Sequence, residues 1–487
     1  AWRRFWQELK QRQSGILRGL PDLEDRAYSV MAGGDFALIK AVEGFEDFTD
    51  FGRYQLQQGG VQKGDVVVAI TEGGETSFVI GTAWGGLKAG AEVFFVYNNQ
   101  SEVLCRHVQR SREVIEESKI VKLELTTGPM AITGSTRMQA TTAELLMVGS
   151  ALETALVGFL KGYLSATEFK RLGISEWSAD QYHLCFVDLL KRLMSSSAVD
   201  SLARATRFEE EIYRRHGLIT YTTDEFMLDV LTDTTERSPT FMLPPFRRDD
   251  DTVSPRSWAF IKNPYRSTRD AWFRMLGRAP RGLEWGSTVY ERMKAPQKLQ
   301  ADPPRLGNSE IYKFQIGNEP DPNRTDAPDS ALMAIAVGEQ ADELIRAGLQ
   351  RFGGGFKKTA AIYLGAETSD KQTDEVFPVL CEPADSPLQL WRHLAIKLVL
   401  NTISTATMAR MGRVIGNAMI WLSPSNKKLI DRGSRLISQL TGCGYDEACI
   451  LLHQAMEEVE KRSRAAEEVP SPVALAIERR GLKAVSE

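Results

Sequence analysis

Short β-branched runs alternate with helical stretches from Leu20 to Gly149, and the same alternation restarts at Leu218. Alternation of this kind is what a parallel sheet demands, because two parallel strands can be joined only by a connection long enough to cross back over the sheet. In the first stretch, strands are expected near Tyr28–Met31, Val66–Ile70, Val93–Tyr97 and Lys119–Leu123. Asp35–Asp47 and Thr76–Lys88 carry apolar residues at helical spacing. In the second, strands are expected at Leu218–Tyr221, Ala259–Ile261, Ala331–Val337 and Ala360–Leu364. Ala140 to His216 contains no proline and keeps a 3.6-residue apolar period, which reads as helices joining the two units.

The expectation is therefore an α/β protein of two three-layer α/β/α units with parallel sheets. Their bounds are 1–150 and 217–430, with a helical connector at 151–216 and a helical C-terminal cap at 431–487. Residues 294–330 are rich in Pro, Asp and Asn and read as a solvated inserted loop or lid.

At 487 residues the chain exceeds the size at which one core stops growing. Sixty basic against 64 acidic side chains, with no basic cluster interleaved with aromatics, argue against nucleic acid as a partner. The longest apolar runs, such as Gly64–Ile70 and Ala91–Tyr97, are strand-length, so no membrane span is expected. The start, Ala1-Trp-Arg-Arg-Phe-Trp6, lacks a basic-then-apolar signal and reads as trimmed rather than secreted. Five scattered cysteines without metal-type spacing suggest reduced thiols in a cytoplasm, and five dispersed histidines offer no ligand set. No Walker loop, dinucleotide fingerprint or nucleophile elbow accompanies them, so neither a cofactor nor a metal is expected.

Three stretches carry chemistry. Met31-Ala-Gly-Gly-Asp35 followed by Val42-Glu43-Gly44-Phe45-Glu46-Asp47 sets acids beside a glycine-permitted close approach. Those carboxylates suit proton transfer or a grip on sugar hydroxyls, and equally an ordinary acidic helix start. Thr71-Glu72-Gly73-Gly74-Glu75-Thr76 runs from an apolar strand into a glycine turn and a helix, offering amides and the Thr71 and Thr76 hydroxyls to a phosphate. Thr133-Gly134-Ser135-Thr136-Arg137-Met138 places Ser135, Thr136 and Arg137 at a helix entry, suited to an anion or to plain helix capping.

Taken in order and spacing, these stretches resemble one sugar isomerase (SIS) domain of the N-acetylmuramic acid 6-phosphate etherase and glucokinase regulatory protein family. The resemblance resumes at Leu400-Asn-Thr-Ile-Ser-Thr-Ala, Gly412-Arg-Val-Ile-Gly416-Asn417-Ala-Met, Ser425-Asn426-Lys427-Lys428-Leu429 and Thr441-Gly442-Cys443. The connector and second α/β unit intervene, which is the tandem layout of the regulatory protein. Leu231-Thr-Asp-Thr-Thr-Glu236-Arg-Ser-Pro239-Thr240 resembles the stretch that carries the family's catalytic acid.

The resemblance implies two SIS-type domains, the first lacking its first strand and first phosphate loop in this chain. It implies Glu236 as general acid and Asp47 as base, with no metal. Substrate contacts would come from Glu43, Thr71, Gly74, Thr76, Ser135, Thr136, Arg137 and Lys428. The implied ligand is a phosphorylated amino sugar, and the implied reaction is elimination of the lactyl ether of N-acetylmuramic acid 6-phosphate.

Two departures qualify the match. Tyr221-Thr222-Thr223-Asp224 puts an acid where the second unit would need a phosphate loop, and Glu75 inverts a charge in the glycine turn. The competing reading is a non-catalytic sugar-phosphate sensor regulating a partner, a kinase in the regulatory protein's case. Aldose–ketose isomerisation ranks behind both, and a homodimer is an open expectation.

Overall fold

The computed structural model describes residues 1–12, 20–42, 44–338, 341–365, 372–424, 427–464 and 470–481. Two parallel sheets carry the chain. In the first, β1 (Val66–Ile70), β2 (Glu92–Tyr97) and β3 (Ile120–Glu124) lie in that order, with Val66 opposite Glu92 and Val93 opposite Ile120. In the second, β4 (Ile219–Thr222), β5 (Ala259–Lys262), β6 (Ala331–Val337), β7 (Lys358–Leu364) and β8 (Glu375–Val379) take the order β5-β4-β6-β7-β8. Every neighbouring pair is parallel. Residues of β4 and β5 are buried throughout, as befits a sheet covered on both faces.

Helix packing follows from small residues and apolar faces. The helices Thr49–Gln58 and Ser77–Ala89 touch at two glycines, where an added Cβ at Gly52 or Gly81 would run into the carbonyl of Phe78 or Thr49. On the second sheet, the helices Ser196–Arg214, Met227–Phe241 and Leu390–Arg410 bury Ile212, Val230, Trp391 and Ile403 in the largest core. A separate cluster around Ile437, Leu452 and Val473 holds the last helices together.

Several local expectations fail for visible reasons. Tyr28–Met31 forms no strand: β1 does not pair with it, and Tyr28 instead stacks under the Arg281 guanidinium at 4.0 Å. Strand propensity is realised only where a sheet edge accepts the segment. Asp35–Asp47 is no continuous helix but two short 3₁₀ turns, Gly34–Leu38 and Phe45–Asp47, because Gly33, Gly34 and Gly44 adopt φ of 93°, 66° and 80°. Strand β8 contains Pro378, tolerable only on an edge, and that proline hid it from the pattern.

Residues 294–330 are not a solvated lid. They carry the short helices Gln297–Ala301, Asn308–Ile311 and Pro322–Thr325, and they bury Leu306, Ile311, Phe314 and Ile316. Leu306 joins Phe45, Phe51 and Trp285 in one aromatic cluster, which ties this segment to the first unit.

The helix Gln139–Tyr163 is long and apolar enough, by length and composition, to cross a bilayer, so the expectation drawn from strand-length runs needs correcting. Its two carboxyls are engaged within the protein. Glu144 accepts from Asn98 Nδ2 at 2.9 Å, and Glu153 accepts from the Tyr182 hydroxyl at 2.9 Å and the Leu388 amide at 2.8 Å. Both carboxyls are buried and hydrogen-bonded within the protein.

Candidate functional site

Two cavities meet where β1 runs into its glycine turn and the helix Met227–Phe241 follows β4. One, of about 1000 Å³, is lined by Ser135, Thr136, Arg137, Lys397, Asn401 and Arg432 among others. The second, of about 750 Å³, lies against β1 and is lined by Thr71, Thr76 and Glu46. Glu72 and Glu236 line both, so the two volumes share one carboxyl-bearing junction.

One side of the junction carries the cations Arg137, Lys397 and Arg432. Arg137 is 8% exposed; its Nη2 donates to Asp233 Oδ1 and, at 3.3 Å, to the Ser404 hydroxyl. Its Nε and Nη1 have no partner in the structure, and buried guanidinium donors are seldom left idle without a ligand or water to meet them. Asp233 is the anchor. It also accepts from Arg237 Nε at 2.9 Å and Asn401 Nδ2 at 3.2 Å, and Arg237 pairs onward with Glu209 at 3.2 Å. Burial alone would raise the Asp233 carboxyl, but Arg237 and then Arg137 outweigh it and hold it below its ordinary value.

Beside Arg137, Lys397 Nζ donates to the Arg137 carbonyl at 2.9 Å, the Met138 carbonyl at 3.2 Å and the Thr142 hydroxyl at 2.7 Å. Burial, with repulsion from Arg137, pushes its ammonium down to about 8. Arg432 Nη2 donates to the Thr133 carbonyl at 2.9 Å. Gly134, at φ 76°, leaves the space that the Arg432 guanidinium fills, so the glycine of the Thr-Gly-Ser-Thr-Arg run is required twice over.

The other side is acidic. Glu236 is accessible to water, but that water is the cleft's, hemmed in by protein. Desolvation there raises its carboxyl; Arg137 opposes the shift, while Glu72 and Glu46 add to it. Glu144, buried behind the glycine turn, is pushed up to about 8 by burial and then by Glu72. The Thr71 hydroxyl donates to that of Thr76 at 3.0 Å, fixing the turn that presents Glu72.

Of the residues singled out from sequence, Glu236, Ser135, Thr136, Arg137, Thr71 and Thr76 thus converge on the junction. Asp47 is exposed on a 3₁₀ turn and lines neither cavity, whereas its neighbour Glu46 does. Gly74, at φ 73°, serves the turn itself, with Leu104 and Tyr97 packed where a Cβ would stand. Glu43 and the Lys428 side chain lie outside the described residues. Glu75 lines neither cavity, and its carbonyl accepts from Arg110 Nε at 2.6 Å. Asp224 is committed to Asn263 Nδ2 at 2.7 Å and Arg266 Nε at 3.1 Å.

Sequence reasoning gave no individual role to Glu46, Glu72, Asp233, Lys397, Asn401 or Arg432, and Glu46 entered only as one of the acids of its run. Glu46, Glu72, Asp233 and Asn401 stand inside the motif stretches, so a search for every polar residue in them would have found these four; nothing marks Lys397 or Arg432. Among the described residues, no group of three or more His, Cys, Asp or Glu is arranged to hold a metal ion.

With this geometry in view, the chain resembles N-acetylmuramic acid 6-phosphate etherases. It is 47% identical to that of Mesorhizobium japonicum over 169 residues, 33% of this chain and 49% of the relative. It is 33% identical to that of Clostridium acetobutylicum over 134 residues, 28% of this chain and 41% of the relative. The chain thus spans about two-fifths to half the length of these curated relatives. No protein-family model matches it. Among solved structures, it aligns with the C-terminal domain of glucosamine-fructose-6-phosphate aminotransferase from Francisella tularensis at a TM-score of 0.39 and 11% identity, covering 71% of this chain and 73% of that one.

Proposed function

We propose that the cleft binds a phosphorylated amino sugar and eliminates its lactyl ether, with the phosphate held by Arg137 and Glu236 acting as general acid. The observation that carries the reading is the pairing across one junction of two idle, buried guanidinium donors with a carboxyl held above its ordinary value. A carboxyl shifted in that direction suits the donation of a proton to the departing ether oxygen. The base removes the proton at C2, the C3–O bond breaks, and a C2–C3 double bond forms. The resemblance assigns the base to Asp47. Glu46, which lines the cavity, is the member of that run nearer the chemistry in our reading. The ligand is the only partner this reading requires.

A sugar-phosphate sensor is the second reading, favoured by the position of Glu72. Its charge joins that of Glu46 beside Glu236, where a lactyl carboxylate would meet repulsion. Incubation with N-acetylmuramic acid 6-phosphate, assayed for D-lactate, separates the two. Lactate released by the wild type and lost in Glu236→Gln and in Glu46→Gln or Asp47→Asn establishes the elimination. Tight binding by calorimetry without lactate rejects it in favour of the sensor.

A further inference from the structure

At the opposite end of the second sheet, where β4 and β5 begin, a separate basin of about 300 Å³ is lined by Arg247, Arg248, Arg256 and Arg324 with Asp249 and Asp321. Its floor is Arg324, 4% exposed. Arg324 Nε donates to the Thr220 hydroxyl at 3.0 Å, Nη1 to the Ser257 carbonyl at 2.5 Å, and Nη2 to the Ile219 carbonyl at 2.7 Å. All of these acceptors are neutral, so among the described residues this buried cation has no bonded counter-charge, which is an expensive arrangement. Burial brings its pKa down to about 10, with Asp321 and Tyr213 resisting the fall and Arg256 and Arg247 adding to it.

The rim supplies the donors that the floor cannot. Arg247 is steadied by the Ser254 carbonyl at 2.9 Å and by Asn323 Oδ1 at 2.6 Å. Arg256 is half-buried and, among the described residues, has neither a hydrogen-bond nor an ion-pair partner. Arg248 is already taken by Glu310 at 2.9 Å and Asp250 at 3.2 Å. Asp249, which accepts from Gln315 Nε2 at 2.9 Å, and Asp321 are the opposing charges of the lining, and Asp321 is the one that bears on Arg324.

We propose that this basin is a second anion site, separate from the cleft, that takes a phosphate dianion on Arg247 and Arg256 with Arg324 as its buried counter-charge. The group is either free phosphate or the phosphate of a small phosphomonoester. Planar guanidiniums suit its oxygens, and the basin's small volume limits what can be attached to it.

Calorimetric titration of the whole chain with inorganic phosphate, and separately with glycerol 3-phosphate, tests the proposal. Arg256→Gln and Arg247→Gln, both on the rim, should weaken one binding event about tenfold. Asp321→Asn should tighten that same event several-fold, an effect that mere loss of a rim contact would not produce. The source is whichever probe shows the sensitive event, and the phosphomonoester is identified if glycerol 3-phosphate binds the tighter. Titrations of Arg256→Gln and Arg247→Gln that match the wild type with both probes overturn the site, as does an Asp321→Asn titration that matches it. Circular dichroism of each variant confirms that the fold is retained.

Discussion

Replacing Asp233 by asparagine removes a negative charge from the point where two buried guanidiniums converge. Arg137 would lose its ion-pair partner and keep neutral acceptors, among them the Ser404 hydroxyl at 3.3 Å, and Arg237 would keep Glu209 at 3.2 Å as its counter-charge. Removing one partner of a buried ion pair costs about 3–5 kcal/mol, and asparagine's retained carbonyl acceptor places the expectation near ~3 kcal/mol. Urea unfolding followed by tryptophan fluorescence reads this directly, since Trp272 and Trp391 are fully buried in the same core. With a denaturant slope of about 3 kcal/mol per M, the midpoint of that transition should fall by about 1 M.

The loss should also depend on pH. Asp233 has a folded pKa below its unfolded value of about 3.9, so its contribution is fully present above that value. It disappears as pH falls through the folded pKa. The gap between wild type and Asp233→Asn should therefore be complete at pH 7 and shrink in strong acid. Sugar-phosphate affinity should fall with it, because Arg137 loses the anchor that aims its free donors into the cleft. A midpoint shift below about 0.3 M with unchanged affinity would refute the claim that Asp233 organises this network.

Two further outcomes follow from the same geometry. Glu72→Gln removes a negative charge that helps hold the Glu236 carboxyl up. Glu236 should then lose its proton at lower pH than in the wild type, visible as an acid-shifted carboxyl band in infrared titration, with Glu236→Gln identifying the band. Gly134→Ala imposes a side chain on a φ of 76° and on the space of the Arg432 guanidinium, so it should destabilise the chain by about 1–3 kcal/mol and weaken sugar-phosphate binding. Thermal unfolding and calorimetry check the two effects separately.

How much of this could be read from the chain alone depends on whether the deciding interaction is local. Val66–Ile70 and Ala331–Val337 are unbroken β-branched or apolar runs, and nothing distant needs to be known to make them strands of parallel sheets. Asp35–Asp47 has helical spacing, yet three glycines with positive φ override it, and the Gly33-Gly34-Asp35 corner closes on a remote loop. There Asp35 is clasped by Arg278 Nη1 at 2.5 Å and by the Arg281 amide at 2.6 Å, more than 240 residues away in sequence. The 294–330 segment misleads for a related reason. Its Pro, Asp and Asn residues signal turns correctly, but the burial of Leu306 against Phe45 and Trp285 is decided by a surface the segment does not contain.

The candidate site divides along the same line. Arg137 stands in a local loop-to-helix pattern whose affinity for anions can be argued from residue types. Its fixation by Asp233, 96 residues on, and by Ser404, 267 residues on, cannot be argued that way. Glu72 is plain in the sequence, and so is Glu236. What no pattern conveys is that both line the same two cavities, so that Glu72 helps raise the Glu236 carboxyl. The chemistry open to this protein therefore rests less on which acids it carries than on how closely the fold crowds them. A substituent that brings another negative charge to that junction must meet a compensating cation there or be turned away.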